Sequence, residues 1–139
     1  MSNALYDSGR NGFAKGDIAW KATGGSTIKA ILVDTASYAV NLATHANLSD
    51  IAAGARVGSA VALTPSDPVA GVCDAADISF TGLSGAPTVE ALVLYKDTGV
   101  ESTSTLIAYI DTATGLPTPA GASTVNVAWD NGDNKIFKL

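Results

Sequence analysis

The sequence predicts a mainly β domain, an antiparallel β-sandwich or partly closed barrel with a short N-terminal α-helix ahead of it. Three observations carry this. Apolar residues recur with period two in short runs from Ile28 onward. Gly, Pro, Asn and Asp gather between those runs at intervals of roughly ten residues, as in all-β domains. The alternation of strand-length and helix-length patterns that marks a parallel α/β sheet is not visible.

The elements follow in order. Asn3 is an N-cap candidate and Gly16 a C′ glycine, and together they bracket a short helix. Leu5, Gly9, Gly12 and Phe13 share one face of it at helical spacing. Glycine costs about 1 kcal/mol of helix propensity at each position, so glycines on the inward face predict a close approach of the helix backbone to a sheet. Ile28 to Val33 and Val57 to Leu63 read as strands, and the stretch 41–50 between them, with Thr44 as a cap candidate for about one helical turn, reads as a crossing loop. Pro65 and Pro68 punctuate a turn before a strand over 69–73, and 78–80 forms another short strand.

The second half carries the clearest signals. Thr88 to Tyr95 and Thr105 to Ile110 form a hairpin through Lys96-Asp97-Thr98-Gly99, and 112–122 is a long loop of turn-forming residues. Thr124 to Trp129 and Lys135 to Leu139 flank Asn131-Gly132, the strongest short-range hairpin signal available. The chain is expected to be one structural domain over 1–139, with 1–16 as a helix or arm and 28–139 as the β-domain, jointed at Gly24-Gly25-Ser26.

Charge and residue chemistry exclude more than they assign. The net charge is −5, and the 8 Lys and Arg are scattered singly, so no basic stripe exists to neutralise phosphates and nucleic acid is not expected as a partner. The opening residues lack an apolar signal-like run, and the apolar runs fall far short of a membrane span, so no membrane partner is expected either. One Cys and one His leave no Cys/His metal set, no disulfide within the chain and few nucleophile–base arrangements. No cofactor, metal or catalytic residue is expected, and the chain reads as a non-enzyme.

Individual residues bear this out on chemical grounds. His45 lies in a polar loop and reads as solvated or locally hydrogen-bonded. Cys73 sits among Val69, Ala70 and Val72, where a thiol acts as a small hydrophobe with a raised pKa. Asp130-Asn131-Gly132-Asp133-Asn134 lacks the spacing and distal Glu of a calcium loop and reads as a turn. Asp67, Asp74 and Asp77 read as loop caps. Trp20, Trp129, Tyr6, Tyr38, Tyr95 and Tyr109 could form a sugar-stacking platform, but Trp129 shares a strand face with Val125 and Val127, which favours the core.

Charged residues are 15% of the chain and apolar ones 47%, with a mean hydropathy of +0.25. So weakly charged an exterior is expected to be covered by partners. Candidate interface residues are Leu5, Tyr6, Arg10 and Phe13 in the opening segment and Phe137 and Leu139 in the final strand, where an edge can be left free for pairing.

Several strings point further. Met1-Ser2-Asn3-Ala4-Leu5-Tyr6-Asp7, Gly12-Phe13, Gly16-Asp17-Ile18, Asn41-Leu42-Ala43-Thr44-His45, Leu48-Ser49-Asp50, Leu94 to Gly99, Leu106 to Pro117, Trp129 to Gly132 and Lys135 to Leu139 resemble a family of small virion structural proteins of tailed bacteriophages. The resemblance covers nearly the whole chain. It implies a virion location after assembly in the host cytoplasm, and a capsid decoration (cement) role in which the protein bridges major capsid subunits. The partners it implies are the major capsid protein and the protein itself, as a homo-oligomer and by preference a trimer. A tail, neck or fibre component and a virion-surface carbohydrate-binding module are the alternatives, and no catalytic residue is implied.

Overall fold

A computed structural model of the chain describes residues 3–139. Its strands are β1 (Ala4–Leu5), β2 (Ile28–Val33), β3 (Arg56–Ala62), β4 (Val72–Cys73), β5 (Ile78–Phe80), β6 (Ala91–Lys96), β7 (Leu106–Ile110), β8 (Val125–Val127) and β9 (Phe137–Lys138), with the helix α1 (Asp7–Lys15) between β1 and β2. Five strands form one antiparallel sheet in the order β1-β7-β6-β2-β3, and the remaining four form two ribbons, β4-β9 and β5-β8. The sandwich-like reading holds. The main sheet ends in open edges at β1 and β3, so the barrel does not close.

The centre of the sheet is apolar on both faces. Leu32 stands opposite Leu92, Leu92 opposite Ile110 and Val93 opposite Tyr109. Ala30, Leu32, Leu92 and Leu94 join Trp20, Phe80, Val125, Val127, Trp129 and Phe137 in one core, beneath the ribbons. Ile31, Val33, Val93, Leu106 and Tyr109 point the other way, into a second core with Tyr38, Leu48, Ile51 and Ala55. The stretch 41–50, expected to be a crossing loop, belongs to a segment, 34–55, that covers the sheet's second face. It is stitched down by Leu48 N–H to Ser104 O at 2.8 Å, Leu106 N–H to Ala46 O at 2.9 Å and Asp7 N–H to Leu42 O at 2.9 Å. Burial on both faces explains why β2 and β6 read as continuous apolar runs.

The opening segment departs from expectation. Asn3 does not cap the helix, which begins after Tyr6. The Asn3 side chain instead accepts the Asp111 and Thr112 N–H groups at 2.9 Å each and donates to Thr112 O at 3.0 Å. These bonds hold β1 at the end of β7, with Ala4 opposite Tyr109 and Leu5 opposite Ala108. Residues 3–16 are thus an edge strand and a packed helix of the domain and do not extend from it as an arm; Met1 and Ser2 lie outside the described residues. The helix does approach the sheet through glycine: a Cβ on Gly9 would lie 2.6 Å from Ile107 O and 2.8 Å from Ile107 Cα. It ends as expected at Gly16, whose φ of 80° is the left-handed conformation a helix C-cap favours.

The expected hairpin at Asn131-Gly132 does not form. β8 pairs with β5, setting Phe80 opposite Val125, and β9 pairs with β4, setting Cys73 opposite Phe137. A type I′ turn needs positive φ at both central residues, and neither Asn131 nor Gly132 adopts it. The Asp130 carboxylate accepts the Gly132 N–H at 3.0 Å instead. This reverses the chain while each strand docks on a different ribbon partner.

Candidate functional site

β1 and β9 are both edge strands, and the sandwich is open between them. β1 pairs only with β7 and β9 only with β4 among the described residues. Two adjoining cavities, of about 290 and 440 Å³, form a groove there. Leu5 and Ala108 contribute from the main sheet, Arg10 and Phe13 from α1, and Phe137, Lys138 and Leu139 from β9 and the residue after it.

Sequence spacing explains how α1 reaches the groove. Gly9 and Gly12 are buried and turn the helix's glycine face inward, which leaves Arg10 exposed and Phe13 half-buried at the rim. Phe13 packs against Phe137 with ring centroids 5.8 Å apart and tilted by 53°, and Phe137 meets Trp20 edge-on at 5.2 Å. This row runs from the core to the groove, and each such contact contributes about 0.5–1.5 kcal/mol beyond buried area. The Trp20 indole N–H donates to Asp74 O at 3.0 Å, which fixes the inner end.

The groove's electrostatics are one-sided. The charged side chains that line it among the described residues are Arg10 and Lys138, both cationic, with Asn3 and Asn134 as neutral polar neighbours, and the Asp7 carboxylate stands beside the rim. Arg10 makes an ion pair with Asp7 at 3.2 Å, but both side chains are more than half exposed, and such pairs hold their partners weakly.

Of the residues picked out in sequence, Leu5, Arg10, Phe13, Phe137 and Leu139 therefore meet at one place. Tyr6 does not. Consecutive strand residues point to opposite faces, and Tyr6 is fully buried in the second core. Its hydroxyl lies 2.8 Å from that of Tyr38, which lies 2.9 Å from His45 Nδ1. Asn41 N–H also donates to His45 Nδ1, at 3.3 Å, so this nitrogen is an acceptor, Tyr38 donates to it and Tyr6 donates to Tyr38. Burial pushes both phenol pKa values up. His45's own bonds, to Asn41 and Tyr38, are local as expected, while the Tyr6 end of the chain comes from another part of the sequence.

The remaining candidates are structural. Cys73 is fully buried and its thiol is pushed up to about 11 by desolvation. Asp67 accepts Ala22 N–H at 2.9 Å, Asp74 accepts Ala75 N–H at 2.9 Å and Asp77 accepts Trp129 N–H at 3.0 Å, so all three cap backbone. Both tryptophans and all four tyrosines are buried, which removes the aromatic platform on which the carbohydrate alternative stood. Lys138, Asn3 and Asn134 are groove residues that sequence reading missed. Arg56 is another omission: it donates to Leu48 O at 3.0 Å and to Ile51 O at 2.7 and 3.0 Å, and it pairs with Glu101, whose carboxyl it holds below the usual range. It pins the cover segment to the β6–β7 hairpin.

No protein-family model matches this sequence, and no curated protein matches it.

Proposed function

We propose that this protein is a non-enzymatic structural protein of a tailed-bacteriophage virion, and that it decorates the capsid by bridging neighbouring major capsid subunits. One observation carries the reading: residues far apart in sequence converge on an apolar, cationic groove between two open sheet edges, a shape suited to holding another polypeptide. The sequence resemblance to small virion structural proteins supports it. In this reading the partners are the major capsid protein and further copies of the chain, with a trimer preferred, because many weak contacts acting together gain strength through effective concentration. A lattice of repeated contacts favours a domain whose sheet is fixed on both faces, as this one is.

Cryo-EM of virions carrying this protein tests the proposal. Density for the domain on the shell, spanning adjacent capsid subunits, is the expected result. Density in the tail, neck or fibres transfers the protein to that class, and absence from purified virions overturns the reading.

A further inference from the structure

We infer that the groove between β1 and β9 takes an extended acidic segment of the partner chain, one in which apolar side chains alternate with carboxylates. The identity of that partner as a capsid subunit rests on the decoration reading; the chemistry of the segment does not. Three features select it. The half beside α1 is mainly apolar, walled by Leu5, Phe13 and Leu139, and takes the apolar side chains of an incoming strand, while Asn3 and Asn134 make the half beside Phe137 more polar. β1 ends the main sheet with one side unpaired, so an extended backbone can add to it as a further strand. The charged residues at the rim are Arg10 and Lys138, in a chain whose net charge is −5.

The charge pattern also decides between occupants. A second copy seated groove to groove would set Arg10 and Lys138 against their own equivalents, and like charges brought together oppose association. An acidic strand meets complementary charge. Arg10 can serve it while keeping Asp7, because a guanidinium offers five N–H donors, and Lys138 makes no ion pair among the described residues.

The test uses the full chain and two capped six-residue peptides, one alternating valine with aspartate and one alternating valine with lysine. Amide shifts in a nitrogen–proton NMR titration report binding residue by residue. The aspartate peptide is expected to move the amides of Leu5, Arg10, Phe13, Phe137 and Lys138, to bind at least tenfold more tightly than the lysine peptide, and to weaken as salt rises from 50 to 500 mM, limits set by the range over which screening grows severalfold (~14 to ~4 Å). The Arg10→Glu/Lys138→Glu variant is expected to reverse the preference. Equal binding of the two peptides, or shifts that map elsewhere, overturns the inference. So do shifts at the same amides that depend on protein concentration without peptide, since a second copy then fills the groove. The salt titration needs no variant and stands if the double substitution fails to fold. Peptide binding in a protein that virion imaging places off the capsid would retire the decoration reading and leave the groove's chemistry intact.

Discussion

Substituting Gly9 by Ala sets two effects of opposite sign against each other. On an isolated helix the change stabilises by about 1 kcal/mol, because Gly loses more backbone entropy than Ala. In this fold the new methyl would stand 2.6 Å from Ile107 O and 2.8 Å from Ile107 Cα. Both are backbone atoms of a central pairing strand, so they cannot rotate away as a side-chain tip would. α1 has to lift from β7, and overpacking of this kind costs about 3 kcal/mol at the upper end of its usual range. The clash wins, and Gly9→Ala is expected to lose about 2 kcal/mol net. With an unfolding entropy near 2 cal/mol/K per residue, that lowers Tm by about 7 °C for a chain of this length. Urea and thermal unfolding followed by circular dichroism measure it, and Asn11→Ala on the helix's exposed face, expected to be neutral or slightly stabilising, is the control. A Gly9→Ala protein as stable as the parent or more so would refute the packing argument, and with it the placement of α1 that carries Arg10 and Phe13 to the groove.

Three further outcomes are expected. Tyr38→Phe leaves the buried Tyr6 hydroxyl without its acceptor and should cost about 1–3 kcal/mol in urea unfolding, and adding Tyr6→Phe should recover part of the loss. Asp50 accepts the Ala46 and Asn47 N–H groups at 2.7 and 3.0 Å, which hold its carboxyl below its usual pKa of 3.8; its contribution is therefore present above that value and lost as pH falls through the folded-state pKa, so Asp50→Asn should flatten the acid side of the stability curve. Cys73, buried with a raised thiol pKa, should react with a disulfide reagent at pH 8 only as fast as the protein opens, and reaction at the rate of a free thiol would refute its burial.

What was legible in the sequence tracks how locally each element is determined. β2, β6 and β7 are apolar runs bounded by turn residues, and the Asp97-Thr98-Gly99 turn lies directly between β6 and β7, so strand and partner could be read together. β1 is two residues long and carries no periodicity, and only its pairing with β7, over a hundred residues away and fastened by the Asn3 bonds to Asp111 and Thr112, makes it a strand. The cover segment was missed because Tyr38, Leu48, Ile51 and Ala55 face the sheet at irregular spacing, which neither a helical nor a strand template detects. Asn131-Gly132 is the reverse case, a strong local signal overridden by the pull of Val125, Val127 and Phe137 toward separate ribbon partners. The groove residues were accessible as two terminal segments with unpaired edges, but their meeting was not, and Tyr6 was misplaced because a helix template was laid over a residue that follows a strand.

The two-faced core also changes what the weak surface charge means. Read in sequence, so many apolar residues in a small chain implied an exterior that partners must cover. The fold buries most of them itself, because its central sheet is packed on both faces and needs apolar side chains at nearly every position of β2, β6 and β7. The large apolar side chains that remain well exposed among the described residues are Val69, Val100 and Leu139. Broad apolar docking through a sheet face is thereby excluded, since both faces are already occupied by the chain's own ribbons and cover segment. In the proposed reading, association uses what the core leaves open, namely the backbone of edge strands and the gap between them. β3 offers the longer edge, but three of its residues, 58–60, stand against the single residue Ile31 in a bulge, and such bulges twist an edge away from further pairing. β1 and β9 have no such protection among the described residues, and theirs are the edges that adjoin the groove walled by Phe13 and Phe137 and lined by the Arg10 and Lys138 cations.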